Sequence, residues 1–582
     1  MRARSRAWEL VDLSWKAALV GVVAGLGAVA FRGLIGLFHN LAFTGHWSFH
    51  YDANLHTPPS PLGPLVIGVP VVGALIVAFL VQHFAPEAKG HGVPEVMDAI
   101  YYRAGKIRPV VAVIKALASS ISIATGGSVG REGPIAQIGS AFGSTLAQTL
   151  RLPAWQRVTL IAAGAGGGIA ATFNTPIGGV LFAVELLLVE VNARTLFPVS
   201  LAVAIATLIG RTVYGAQPSF VVNGPPNEHL LIGAAALVIL IAFGLLLGAC
   251  AALYTRSVYW TEDLFDRIRG GYYLRHPLGM LFVGAGMYLL LRATGHYYVQ
   301  GVGYATVQDI LDGALQSSAL LVLLFVAKLV ATSVTLGSGA SGGIFSPALF
   351  LGACAGGAVA GVVHAVAPSV GLRPLVFTVA GMAGVAGASM SAELTAITML
   401  FEMTRSYELV LPTLVTVAAA YAARRALVRE SIYTFKLRRR GHHVPQSLVT
   451  EFALAQPVEA IANHRVVCTR SDENAAELLQ RYADASYFVV EHEGRVLAVY
   501  RRRSLRKTAA RRDPVALGAG GDRFSLIDPH DSVRRALARL KANRTPIGLF
   551  RTADGTLSVI TRASLWRALD RALELMELDA DS

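Results

Sequence analysis

The stretch "GREGPIAQIGSAFG" runs from Gly130 to Gly143, and "GIFSPALFLGACAG" runs from Gly343 to Gly356. Laid side by side, they pair Gly130 with Gly343, Pro134 with Pro347, Gly139 with Gly352 and Gly143 with Gly356 at one spacing, and Ser128 with Ser341 upstream. Two further segments repeat in the same order. "GHGVPEVMDAI" from Gly90 matches "GVGYATVQDIL" from Gly301, setting Gly92 against Gly303 and Asp98 against Asp309. Gly164, Gly167 and Glu185 pair with Gly381, Gly384 and Glu402. Three ordered matches imply a duplicated chain, an architecture common in membrane transporters, whose sites lie at the midplane between broken helices.

Composition places this duplication in a bilayer. Charged residues make up 15% of the 582 positions and hydrophobic ones 54%, against about 25% charged in typical soluble domains. Mean hydropathy is +0.52. The run Leu231 to Tyr254 carries no charge and exceeds the ~20 residues that cross a membrane. The first apolar run, from Ala17, continues past Ala30 through Leu41 with no small-residue cleavage site, so it reads as a retained helix, not a signal peptide. Cys250, Cys354 and Cys468 lie far apart, and neither a disulfide framework nor a metal site is expected.

The net charge of +14 is concentrated where membrane topology uses it. Arg424, Arg425, Arg429, Lys436, Arg438, Arg439 and Arg440 follow the last apolar run, and such clusters mark the cytoplasmic side and contact anionic lipid. With "MRARSR" at the other end, both termini are expected in the cytoplasm. No aromatic-interleaved basic motif points to nucleic acid. No Ser/His/Asp or metal-ligand constellation in the apolar part points to an enzyme.

Pro94, Pro134 and Pro347 each follow glycine-rich backbone. Proline in a first helical turn sacrifices no hydrogen bond, so these read as three helix starts. Each presents free N–H groups and a positive dipole end. Together they offer an anion site without a lysine.

"GHGVP" (Gly90 to Pro94), "GREGP" (Gly130 to Pro134), "GIFSP" (Gly343 to Pro347) and "SIYTFKL" (Ser431 to Leu437) resemble, in this order, the anion-pathway segments of the CLC chloride channel and transporter family. The resemblance covers about residues 15 to 440. It implies an all-α polytopic domain of two inverted halves with broken and tilted helices, spanning 1–440, and a homodimer in the plasma (inner) membrane with one pore per subunit. It further implies that the Ile344 and Phe345 amides and the Tyr433 hydroxyl hold chloride or a similar small anion. Glu132 would be the gating carboxylate, removed from the pathway by protonation. Arg131 would support it, as would Gly130, Gly133, Pro134, Gly343 and Pro347.

Two departures bear on transport. His91 stands where the family usually has a serine; either its imidazole faces the anion, or it turns away and the Gly90 and Gly92 amides bind. Leu186 follows Glu185 where proton-exchanging members typically have a second glutamate. The expectation therefore leans to passive, gated permeation. The alternative is proton-coupled exchange by another route, such as Glu185, Glu190 or water.

After a linker at 441–464, residues 465–582 read as a soluble α+β module. A strand at 466–467, a helix from Asn474, a strand from Tyr487, a turn at Gly494 and a strand from Val496 are followed by a second copy from Leu526 to Ile560. This resembles a pair of CBS modules. Ser504 and Ser564 stand where adenosine-binding members have aspartate, with only Thr561 kept; nucleotide binding is disfavoured, and no cofactor is expected.

Overall fold

The computed structural model describes residues 2–222, 233–442, 444, 457–461, 465–493, 495–509, 517, 520–552, 555–561 and 564. The chain divides into two compact units, Met1–Val444 and Pro445–Ser582. The expected turn at Gly494 and most of the expected linker at 441–464 lie outside the described residues.

The first unit is helical. Among its described residues, seven helices are long and apolar enough to cross a membrane, from Trp8–Phe43 to Phe345–Val366. The first apolar run is part of one unbroken helix, Arg2–Phe43, which packs on Ala193–Tyr214. The helix Ala234–Asp266 has 33 residues, about 50 Å at 1.5 Å per residue. That exceeds the ~30 Å hydrocarbon core, so it must tilt or project beyond it.

The repeat seen in sequence is a repeat in packing. Helix Glu132–Thr149 crosses Ala154–Phe173 with Gly139 against Gly164, and helix Phe345–Val366 crosses Pro374–Met390 with Gly352 against Gly381. At all four positions an added Cβ would collide with the partner's carbonyl. Lipid provides no hydrophobic drive between helices, so such close backbone approach is what holds them together.

The two halves join at the motifs. The Gly130 amide donates to the Gly343 carbonyl at 2.8 Å and the Gly343 amide to the Gly130 carbonyl at 2.6 Å. This reciprocal bond is what a pseudo-two-fold axis between the glycines requires. It also satisfies non-helical backbone at membrane depth, which is tolerated only inside protein.

Among its described residues, the second unit forms two three-stranded sheets. Strands Val466–Thr469, Tyr487–His492 and Arg495–Arg501 lie in that order, the first pair parallel and the second antiparallel. Phe524–Leu526, Ile547–Arg551 and Leu557–Thr561 repeat the pattern. Each parallel connection carries a helix, Ala475–Arg481 in the first copy and Val533–Ala542 in the second. Thr561 and Ser564 hydrogen-bond each other through backbone and side chain.

Candidate functional site

Four helices begin around one buried region. Val93–Tyr102 starts after Gly92, whose φ of 89° is open mainly to glycine. Glu132–Thr149 starts after Arg131 and Phe345–Val366 after Ile344, each with its proline in the third helical position. Ile432–Arg439 starts with a capping box in which Ser431 and Thr434 satisfy each other's amides. The first intrahelical acceptors are the carbonyls of Gly92, Arg131, Ile344 and Ser431, so the amides just ahead of those first bonds have no partner within their helices.

Backbone contacts bring these starts together. A Cβ on Gly133 would strike the His91 carbonyl and lie 3.4 Å from the Gly343 Cα. The His91 ring lies 6.4 Å from that of Tyr433 and 6.2 Å from that of Tyr259. Tyr254 donates to the Ile344 carbonyl at 3.1 Å. His91, Gly92, Ile344, Phe345 and Tyr433 thus converge. His91 is 3% exposed, and its Nδ1 is buried without a hydrogen-bond partner among the described residues. Among the described residues, the Tyr433 hydroxyl has the Met390 sulfur, at 3.4 Å, as its hydrogen-bond partner.

Glu132 lies at the centre, 4% exposed. Its Oε1 accepts from Tyr304, 2.9 Å away, and from Ser346. Its Oε2 is buried with no partner among the described residues, close beside Gly130 and Gly343. Arg131 does not neutralise it: among the described residues no ion pair joins them. The guanidinium instead lies over the rings of Phe173, 4.8 Å, and Tyr304, 5.3 Å. A carboxylate without a counter-charge is costly in an apolar interior, and the compensation available here is positive helix ends and hydroxyl donors.

Glu185 sits in a π-helical turn, Ala183–Leu187. Its Oε1 accepts from the Leu394 amide at 3.0 Å and its Oε2 from the Thr395 amide at 2.8 Å and from the Thr395 hydroxyl. The repeat partner Glu402 does the same in reverse, accepting from Ile177 at 2.9 Å and Gly178 at 2.8 Å. Each half therefore caps a helix of the other. Leu186 is buried, and Glu393, beside Leu394, has a buried Oε1 with no hydrogen-bond partner among the described residues.

The sequence motifs do not single out Tyr304, Ser346, Lys115 or Lys328. Lys115 donates to the carbonyls of Ala88, 2.9 Å, and Gly90, 2.7 Å. Lys328 donates to those of Val299, 3.0 Å, and Gly301, 2.8 Å. Extending the repeat alignment upstream of Gly130 and Gly343 sets one lysine on the other, and that signal was available in the sequence.

Residues 73–425 match the family described as "Voltage gated chloride channel". The H(+)/Cl(-) exchange transporter ClcA of Vibrio parahaemolyticus is 31% identical over 442 residues, 73% of this chain and 88% of that protein. A slow cyanobacterial Cl-/H+ antiporter superposes with a TM-score of 0.64 at 25% identity, over 74% of this chain and 97% of its own. A eukaryotic CLC transporter shares the fold over 95% of this chain and 98% of its own, with a TM-score of 0.60 at 20% identity. With duplicated halves meeting at Gly130 and Gly343 and helix starts converging on a buried carboxylate, the chain belongs to the CLC family of membrane anion channels and transporters.

Proposed function

We propose that this protein exchanges chloride, or a similar small anion, for protons across the inner membrane. It works as a homodimer with one pathway per subunit and both termini in the cytoplasm. The observation that carries the reading is Glu132, a buried carboxylate among helix starts from both halves with one oxygen unpartnered. The anion is held by the Ile344 and Phe345 amides, the Gly92 amide, the His91 ring and the Tyr433 hydroxyl. Glu132 occupies the pathway among the same helix starts, and protonation removes its charge and frees the pathway. Gly130, Gly133, Pro134, Gly343 and Pro347 shape the helix starts, and Arg131 is pinned on its aromatic rings. The CBS-like second unit has a structural role.

The relatives' names favour exchange over the passive permeation that Leu186 suggests. Leu186 holds no proton, and Glu185 has both oxygens committed to capping. Glu393 supplies the missing carboxylate: its Oε1 lacks a partner, and it begins the helix that Glu185 caps.

The deciding measurement is the reversal potential of reconstituted protein in a chloride gradient, with and without a pH gradient. Exchange predicts a stoichiometric shift with pH. Reversal fixed at the chloride equilibrium potential would establish a channel. Under exchange, Glu393→Gln should uncouple protons while chloride flux continues, and intact coupling would remove Glu393 from the route.

A further inference from the structure

Glu132 comes from the first half of the chain, and both hydroxyls upon it come from the second. Tyr304 opens the helix Tyr304–Leu311, and Ser346 lies in the first turn of Phe345–Val366. Their oxygens are 2.9 Å apart, and both reach Glu132 Oε1. Each hydroxyl has one proton to give, and both have the same carboxylate oxygen as acceptor. Tyr304 is 1% exposed, with the Phe220 ring 5.1 Å from its own and the Arg131 guanidinium over its face. In the first half the repeat places Val93 opposite Tyr304 and Gly133 opposite Ser346. Neither hydroxyl is therefore demanded by the scaffold.

We propose that Tyr304, together with Ser346, is the latch that holds the Glu132 carboxylate in the anion pathway and sets the pH at which the pathway opens. The proposal rests on reading Glu132 as the gate. Hydroxyl donors stabilise an ionised carboxylate more than a neutral acid. With Oε1 held by two donors, an arriving proton has Oε2 as its place, and the loss of charge weakens both bonds. Other titratable or charged groups act electrostatically on Glu132 without bonding it: Lys328 on Ser318–Ser338, and Tyr254 and Tyr433 on two further helices, with Arg131 next to it at its own helix start. Among the described residues, only Tyr304 and Ser346 donate hydrogen bonds to it. Removing either weakens the hold without changing the net charge.

The test is chloride flux from liposomes containing the full chain, measured over a series from acidic to neutral pH. Tyr304→Phe keeps the ring and loses the donor. The flux–pH midpoint should then move to higher pH by about one unit, the scale of one hydrogen bond to a charged group. Ser346→Ala should move it the same way, so the result does not hang on one variant's folding. Tyr304→Phe combined with Glu132→Gln should behave as Glu132→Gln alone. Unmoved midpoints in both hydroxyl variants, with Glu132→Gln insensitive to pH, would overturn the latch and leave the gate standing. A Glu132→Gln protein with the original pH curve would overturn the gate itself.

Discussion

A neutral imidazole has one N–H and one bare nitrogen, so His91 can offer an anion a single donor. Its position beside Tyr433 and its unpartnered Nδ1 suit that use. His91→Ala should weaken chloride binding about tenfold, the worth of one donor to a charged group, while His91→Ser should restore it by supplying a hydroxyl. Isothermal titration of the purified protein with chloride checks both; equal affinity in all three proteins would mean the ring does not meet the anion. At this scale the glycine and proline punctuation made the helix starts around Glu132 legible in the sequence. Tyr304 was not legible. A tyrosine beside a glycine in an apolar segment reads as packing until the fold brings it to Glu132, 172 positions away in sequence.

Helix starts were legible as elements because proline and glycine punctuate them locally. What holds the starts was not, because the capping carboxylates act across 209 and 225 positions. Glu185 pairs with Glu402 in the sequence repeat, and that pairing alone does not distinguish a proton carrier from a cap. The structure gives both the same task, and the task makes a prediction. Glu402→Ala should leave the Ile177 and Gly178 amides without their acceptor and cost about 2 kcal/mol, read as a lower melting temperature in detergent. Glu185→Ala should destabilise to a similar degree. A Glu185→Gln protein that is stable but loses proton coupling would instead put Glu185 on the proton route.

At the scale of the whole molecule, the pseudo-two-fold relation is a claim about energy as well as shape, and two fully buried lysines, Lys115 and Lys328, test it. Each gathers the two carbonyls that precede a glycine-led helix start. Replacing either with methionine keeps much of the volume and strands two buried carbonyls. Relief of a buried charge offsets part of the cost, and a net loss of about 3 kcal/mol is expected for each. Function should break the symmetry, because only the first half carries Glu132, the proposed gate, and Phe345 stands opposite it in the repeat. Lys328 acts electrostatically on Glu132, so Lys328→Met should move the flux–pH midpoint upward. Lys115 bonds the Gly90 carbonyl next to His91, so Lys115→Met should weaken anion binding and leave the midpoint in place. Equal losses of stability with these two separate effects would mean that duplication built the scaffold twice and that each half was then put to a different use. Identical transport in both variants would reduce the lysines to structural pins, and unequal stability would mean that the halves share a fold without sharing its energetics.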